Sequence, residues 1–155
     1  MGVEESGLYA IHVLFAGIWT GSVVFVTWAV LPAARDGNLN AEPLSAITGR
    51  LRSLSRISAL LLALTGVRMA MVLPHEYTST DVLFGTNRGY LLVAMIGFWL
   101  VLMGLIEVGA SRLADGTSQR KVREPARNAR PFFLGATLVA VLLLVDAGLL
   151  LGQPF

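Results

Sequence analysis

The chain has 155 residues, enough for one domain. Hydrophobic residues make up 55% of it and charged residues 14%, against about 25% charged in an ordinary soluble domain, so it lacks the polar groups to cover a water-facing surface. There is no cysteine and the net charge is only +2, which excludes disulfides, thiolate metal sites and iron–sulfur clusters and leaves no nucleic-acid partner to expect.

The opening MGVEESGLYA is acidic. It lacks the positive region and the small-residue cleavage site of a signal peptide, so the first apolar run is expected to be retained. MGVEES also fits the loose Met-Gly-x-x-x-Ser pattern of myristoylation, but the orientation derived below puts this end outside. Four apolar runs follow, at 8–31, 57–73, 89–108 and 131–151. Each has the roughly 17–25 residues that carry a helix across a hydrocarbon core of about 30 Å. None alternates as a strand does, and in lipid only helices and closed barrels satisfy their own backbone. Pro32, Pro74 and Pro154 follow three of the runs and Pro131 opens the fourth, so the prolines read as helix boundaries.

Between the first two runs, Asn40 reads as a helix cap with Pro43 in the first turn. Leu44, Ile47, Leu51 and Leu54 then recur at helical spacing, with Arg50, Arg52 and Arg56 among them. This predicts an amphipathic helix at 41–56, lying near the inner surface or running straight into the second span.

Charge sets the orientation. The loop after the first run carries Arg35, Arg50, Arg52 and Arg56, and the loop after the third carries Arg112, Arg120, Lys121, Arg123, Arg127 and Arg130. The middle loop has only Arg88, and the N-terminus has Glu4 and Glu5. Basic residues concentrate in cytoplasmic loops. The expected fold is therefore all-α: an integral membrane four-helix up-down bundle in the cell membrane, with both termini outside and the basic loops cytoplasmic against anionic lipid headgroups. Gly17 and Gly21 form a GxxxG, which permits close approach of a neighbouring backbone and is compatible with a homo-oligomer.

Polar residues inside spans are costly and face the bundle interior by default. At 1.5 Å per residue, His12, Arg68, Met95 and Asp146 each lie about 6–9 Å from the outer face. Met69 and Met71 share that side, with His75 at the rim. His12, Phe15, Ala16 and Trp19 form one stripe; Leu61, Thr65, Arg68 and Val72 form another; Met95, Trp99 and Met103 follow at every fourth place. Arg68 and Asp146 read as a structural ion pair joining helices two and four, since a buried charge needs a partner. His12 alone also reads as a simple hydrogen-bonding residue, to a backbone carbonyl or to Thr65. The inner half shows no comparable gathering.

The stretch LYAIHVLFAGIWTGSVVF, with His12, Trp19, Thr20 and Gly21, resembles the opening helix of the copper-resistance D (CopD) membrane domain. FGTNRGYLLVAMIGFWLVLMGL is similar to that family's Thr-x-x-Gly-x-x-Leu lead-in to a later helix, with Thr86, Gly89 and Leu92 in those places. Relatives often carry a Lys where this chain has Met95. The first helix also looks like that of HemJ-type protoporphyrinogen oxidases, but no span here holds a Lys, so an activity depending on one is not carried over. The resemblance implies a protein, more a carrier than an enzyme, that handles or transports a metal ion such as copper. His12, His75, Met69, Met95 and Asp146 are the candidate ligands, because imidazole and thioether donors suit copper. Met69 and Met71 point about 200° apart on a helix, so only one of them joins His12 easily. The alternatives are a haem-b protein held by His12 and His75, and a non-catalytic membrane interaction subunit.

Overall fold

Four helical rods of 30–32 residues dominate the molecule, each with a window apolar enough to cross a membrane. In the computed structural model, which describes residues 3–72 and 80–152, the chain is 94% helical, with no strand among the described residues. The first rod is α1 (Val3–Phe25), a π-helical turn (Val26–Val30) and α2 (Leu31–Asp36). Then come α3 (Ala41–Val72), the short α4 (Thr80–Gly85), α5 (Asn87–Ser118) and α6 (Arg123–Gly152).

The rods form a ring in chain order, with α1 on α3, α3 on α5, α5 on α6, and α6 closing on α1. Cross-helix contacts fix the directions. Arg56 and Arg52 of α3 reach Glu107 and Ser111 of α5, while Gly109 and Gly116 of α5 face Phe133 and Pro125 of α6. In both pairs one helix ascends as the other descends, which is an up-down bundle. Only 28, 28, 11 and 17% of the four apolar windows is buried inside the bundle. The apolar surface left over, including Phe25, Trp28, Leu60 and Leu138, is what a helix presents to lipid.

The buried face of α3 is Leu44, Thr48, Leu51, Ser55, Ser58, Leu62 and Thr65. Steps of four and three alternate without a break, the spacing that keeps one seam turned toward left-handed supercoiled neighbours. α5 and α6 pack most extensively, and small residues explain it: Gly109, Ala110 and Gly116 on one, Ala126, Ala129 and Ala136 on the other. A Cβ at Gly109 would stand 2.9 Å from the Phe133 ring, and one at Gly116 would overlap the Pro125 ring.

Two expectations change, and a third is narrowed to one of its alternatives. Pro32 does not end the first helix. A proline has no N–H for the carbonyl four residues back and its ring crowds that carbonyl; here the preceding turn widens to a π-turn, Leu31 N–H donating to Val26 O, and the helix runs on to Asp36. Pro131 does not open the fourth helix but sits inside α6, which starts at Arg123 and is held through this region by buried Pro125, Ala126, Ala129 and Phe133. Of the two alternatives for the 41–56 segment, the structure shows the second: it runs straight into the second span. It is the first half of the continuous α3, with Leu44 and Leu51 buried against Val30, Leu31, Ala34 and Leu113.

Two helix ends are closed by six-to-one backbone bonds. At the end of α2, Gly37 takes φ 83° and Asn38 N–H donates to Ala33 O at 2.9 Å. At the end of α5, Lys121 N–H donates to Gly116 O and Arg120 N–H to Thr117 O, both at 3.0 Å. Arg120 takes the left-handed place, φ 56°, where glycine is usual and an L side chain costs about 1–2 kcal/mol. The start of α5 is equally specific. Thr86 Oγ1 accepts from Gly89 N–H at 3.0 Å, and a Cβ at Gly89 would strike the carbonyls of Val82 and Leu83 in α4. The Thr-x-x-Gly motif is thus a cap and a tight elbow.

Candidate functional site

The end of the bundle that carries the chain's first residues and the α4 connection is the one that the charge asymmetry of the loops predicts to be outer. There His12 Nδ1 lies 2.7 Å from Thr65 Oγ1 across the α1–α3 seam. The same hydroxyl lies 2.7 Å from the carbonyl of Leu61. A carbonyl only accepts, so the Thr65 proton goes to Leu61 O and His12 Nδ1–H donates to Thr65 Oγ1. With that proton placement Nδ1 carries the hydrogen and Nε2 is the acceptor; Nε2 has no hydrogen-bond partner among the described residues. The ring packs beside Gly66, where a Cβ would stand 3.5 Å from His12 Cε1, an ordinary contact.

Register places the other candidates. Extending the α3–α5 and α5–α6 pairings outward by whole turns brings Met95 level with Arg68, and Asp146 level with Met95. His12 and Thr65 stand about one turn deeper. Asp146 is buried, 5% exposed, and its Oδ2 has no hydrogen-bond partner. Met95 continues the inward seam of Leu102 and Ile106, and is half-buried. Met69 is half-buried one turn above Thr65, whereas Met71 points outward, 71% exposed. His75 lies outside the described residues, so the His12/His75 pair is not placed. No three His, Asp or Glu side chains converge among the described residues.

Arg68 is a correction. Its Nη2 donates to Glu4 Oε1 at 2.6 Å, both side chains more than half exposed, and no ion pair joins Arg68 to Asp146 among the described residues. The long side chain extends toward the interface, where the acidic first turn of α1 meets it. Asp146 is thereby left without the cation expected for it.

The chain matches no protein-family model, no curated protein and no solved structure.

Sequence reasoning also undervalued the seam below the outer layer. Trp19 is seven residues on from His12 and Ser58 seven back from Thr65, so the two share a level. The Trp19 indole N–H and the Ser58 and Ser55 hydroxyls are all buried and without hydrogen-bond partners. Buried polar groups left unmated are costly, and here they continue the His12 layer toward the inner half. On the fourth side, Thr137 and Thr27 hydroxyls lie 2.9 Å apart, and both approach Phe133 O, tying the π-turn to α6. At the inner boundary Glu107 accepts from Arg56 Nε at 2.7 Å and Nη2 at 3.1 Å. Arg52 Nε lies 3.2 Å from the same carboxylate, and Arg52 Nη2 donates to Ser111 at 2.8 Å.

Proposed function

We propose that the chain is a multi-pass protein of the cell membrane, of the CopD type, that handles or transports a metal ion such as copper through the outer half of the bundle. The observation that carries this reading is the His12–Thr65 bond. A metal-binding imidazole characteristically has its second nitrogen fixed by a neighbouring acceptor, and Thr65 does this while leaving Nε2 free. The donor set fits a soft cation: one imidazole, the half-buried thioethers of Met69 and Met95, and the unpaired Asp146 carboxylate. It does not fit a site needing three hard or imidazole donors among the described residues. The metal would act as cargo; His12 would hold it, Thr65 would orient His12, and Asp146 would balance charge. The polar seam through Ser58 and Ser55 supports passage further inward.

The test is Cu(I) binding to the detergent-purified protein by competition with a coloured chelator. About one copper per chain is expected, with Thr65→Val weakening binding about 10-fold or more and His12→Ala abolishing it. Binding that is absent in the wild type, or unchanged in His12→Ala, rejects the reading.

A second reading, a membrane interaction subunit, is favoured by one observation. Gly17 and Gly21 face away from the bundle, with nothing within 4 Å of where their Cβ atoms would be.

A further inference from the structure

The inner end of the bundle carries a feature independent of the outer site. A pocket of about 500 Å³ opens between the turn that ends α2 and the turn that joins α5 to α6, lined by Gly37, Asn40, Arg120, Lys121, Arg123 and Glu124 among others. Three cationic residues and one acidic residue line it. None of the three forms an ion pair or side-chain hydrogen bond among the described residues, although Glu107 shows that arginines of this chain pair where an acid is in reach.

Two backbone features hold the cations in place against local preference. Arg120 occupies the left-handed position of its turn, which glycine would take without strain, and strain of this kind collects where a side chain is needed for function. The Arg123 guanidinium lies against Gly37, where even a Cβ would collide with it, so the two turns are fitted to each other through this cation. Both neighbouring helices, α3 from Ala41 and α6 from Arg123, also begin at the pocket wall, adding the partial positive charge of their first N–H groups.

We propose that this pocket binds a phosphate-bearing anion, either the headgroup of an anionic lipid or a soluble phosphate compound, with Arg120, Lys121 and Arg123 as its ligands. Guanidinium groups match phosphate oxygens in pairs. The pocket is shallow and wide open, so a phosphate group can reach the three side chains directly from outside.

The experiment uses the full chain in detergent and in phosphatidylcholine bilayers. Inorganic phosphate is titrated against the thermal-unfolding midpoint, and retention of phosphatidic acid from mixed bilayers is read by native mass spectrometry. A phosphate-dependent rise in midpoint assigns the pocket to a soluble phosphate compound. Retention of phosphatidic acid without a phosphate effect assigns it to a lipid headgroup. In either case Arg120→Gly is expected to weaken binding about fivefold, the effect of one basic residue near a surface, without lowering the midpoint of the unliganded protein. The triple variant Arg120→Gly/Lys121→Gln/Arg123→Gln is expected to lose binding. Arg50→Gln/Arg127→Gln/Arg130→Gln, which removes the same charge outside the pocket, is expected to keep it. No response to either probe, unchanged binding in the first triple variant, or equal loss in both triple variants overturns the proposal.

Discussion

Phe133→Ala is expected to destabilise the bundle by about 3–5 kcal/mol, the range for emptying a well-packed aromatic site. Phe133 is fully buried. Its ring fills the space that Gly109 leaves on α5, in a cluster with Val26, Val30, Leu31 and Leu113. Lipid offers a side chain as apolar a surrounding as the protein does, so helix packing in membranes rests on fit rather than on escape from water. A cavity at this crossing forfeits that fit. The check is the unfolding midpoint in mixed detergent micelles, with Phe25→Ala as comparison. Phe25 is 61% exposed and faces outward, so its removal is expected to change stability by no more than about 0.5 kcal/mol. Equal effects of the two substitutions would mean that the α5–α6 crossing is not where the bundle is held.

Gly116→Val tests the opposite error at the same seam and is expected to cost about 3 kcal/mol or more. Its Cβ would overlap Pro125. A pyrrolidine ring has no rotamer into which to retreat, and Gly116 O also accepts the bond from Lys121 N–H that closes the α5 turn. The helices can respond only by separating. Pro125→Gly in the Gly116→Val background is expected to recover part of the loss, because the pair touch and their effects should not add. Strict additivity in a double-mutant cycle would contradict the contact.

Much of this architecture was legible in the residues, and the misreadings have identifiable causes. The four rods follow from the lengths of the apolar runs, because lipid imposes a helix on any such run. The seam of α3 was half visible. Leu44 and Leu51 fall on it, Ile47 packs beside it, and Thr65 was read as part of a stripe, but Thr48, Ser55 and Ser58 are hydroxylic and escaped a reading for apolar spacing. In a membrane helix a small hydroxyl packs as well as alanine and can bond its own backbone, as Thr48 does to Leu44 O. Pro32 and Pro131 were misread because proline forbids one hydrogen bond, not a helix; a π-turn at one site and surrounding packing at the other absorb the loss. The short α4 gave no signal, since six residues are too few for a periodic pattern.

At the candidate site, the nearness of His12 to Thr65 was readable from depth and face. The partner of Arg68 was not, because Glu4 was counted as part of an outer tail, whereas α1 already runs from Val3. The level shared by Met95 and Asp146 emerges only once contacts at the inner end fix the register between helices. Nor could spacing reveal that Ser58 and Trp19 carry unmated polar groups at one level of the bundle, since both residue types are ordinary in a span.

The account depends most on which end of the bundle faces outward, since that places the His12 layer on the exterior and the basic pocket in the cytoplasm. The chain has no cysteine, so single cysteines introduced at exposed Thr80, Asn38 and Gln119 can be labelled in intact expressing cells with a membrane-impermeant maleimide. Labelling of Thr80→Cys in intact cells, with Asn38→Cys and Gln119→Cys labelled only after permeabilisation, is the predicted result. The reverse pattern, or all three labelled without permeabilisation, would contradict it.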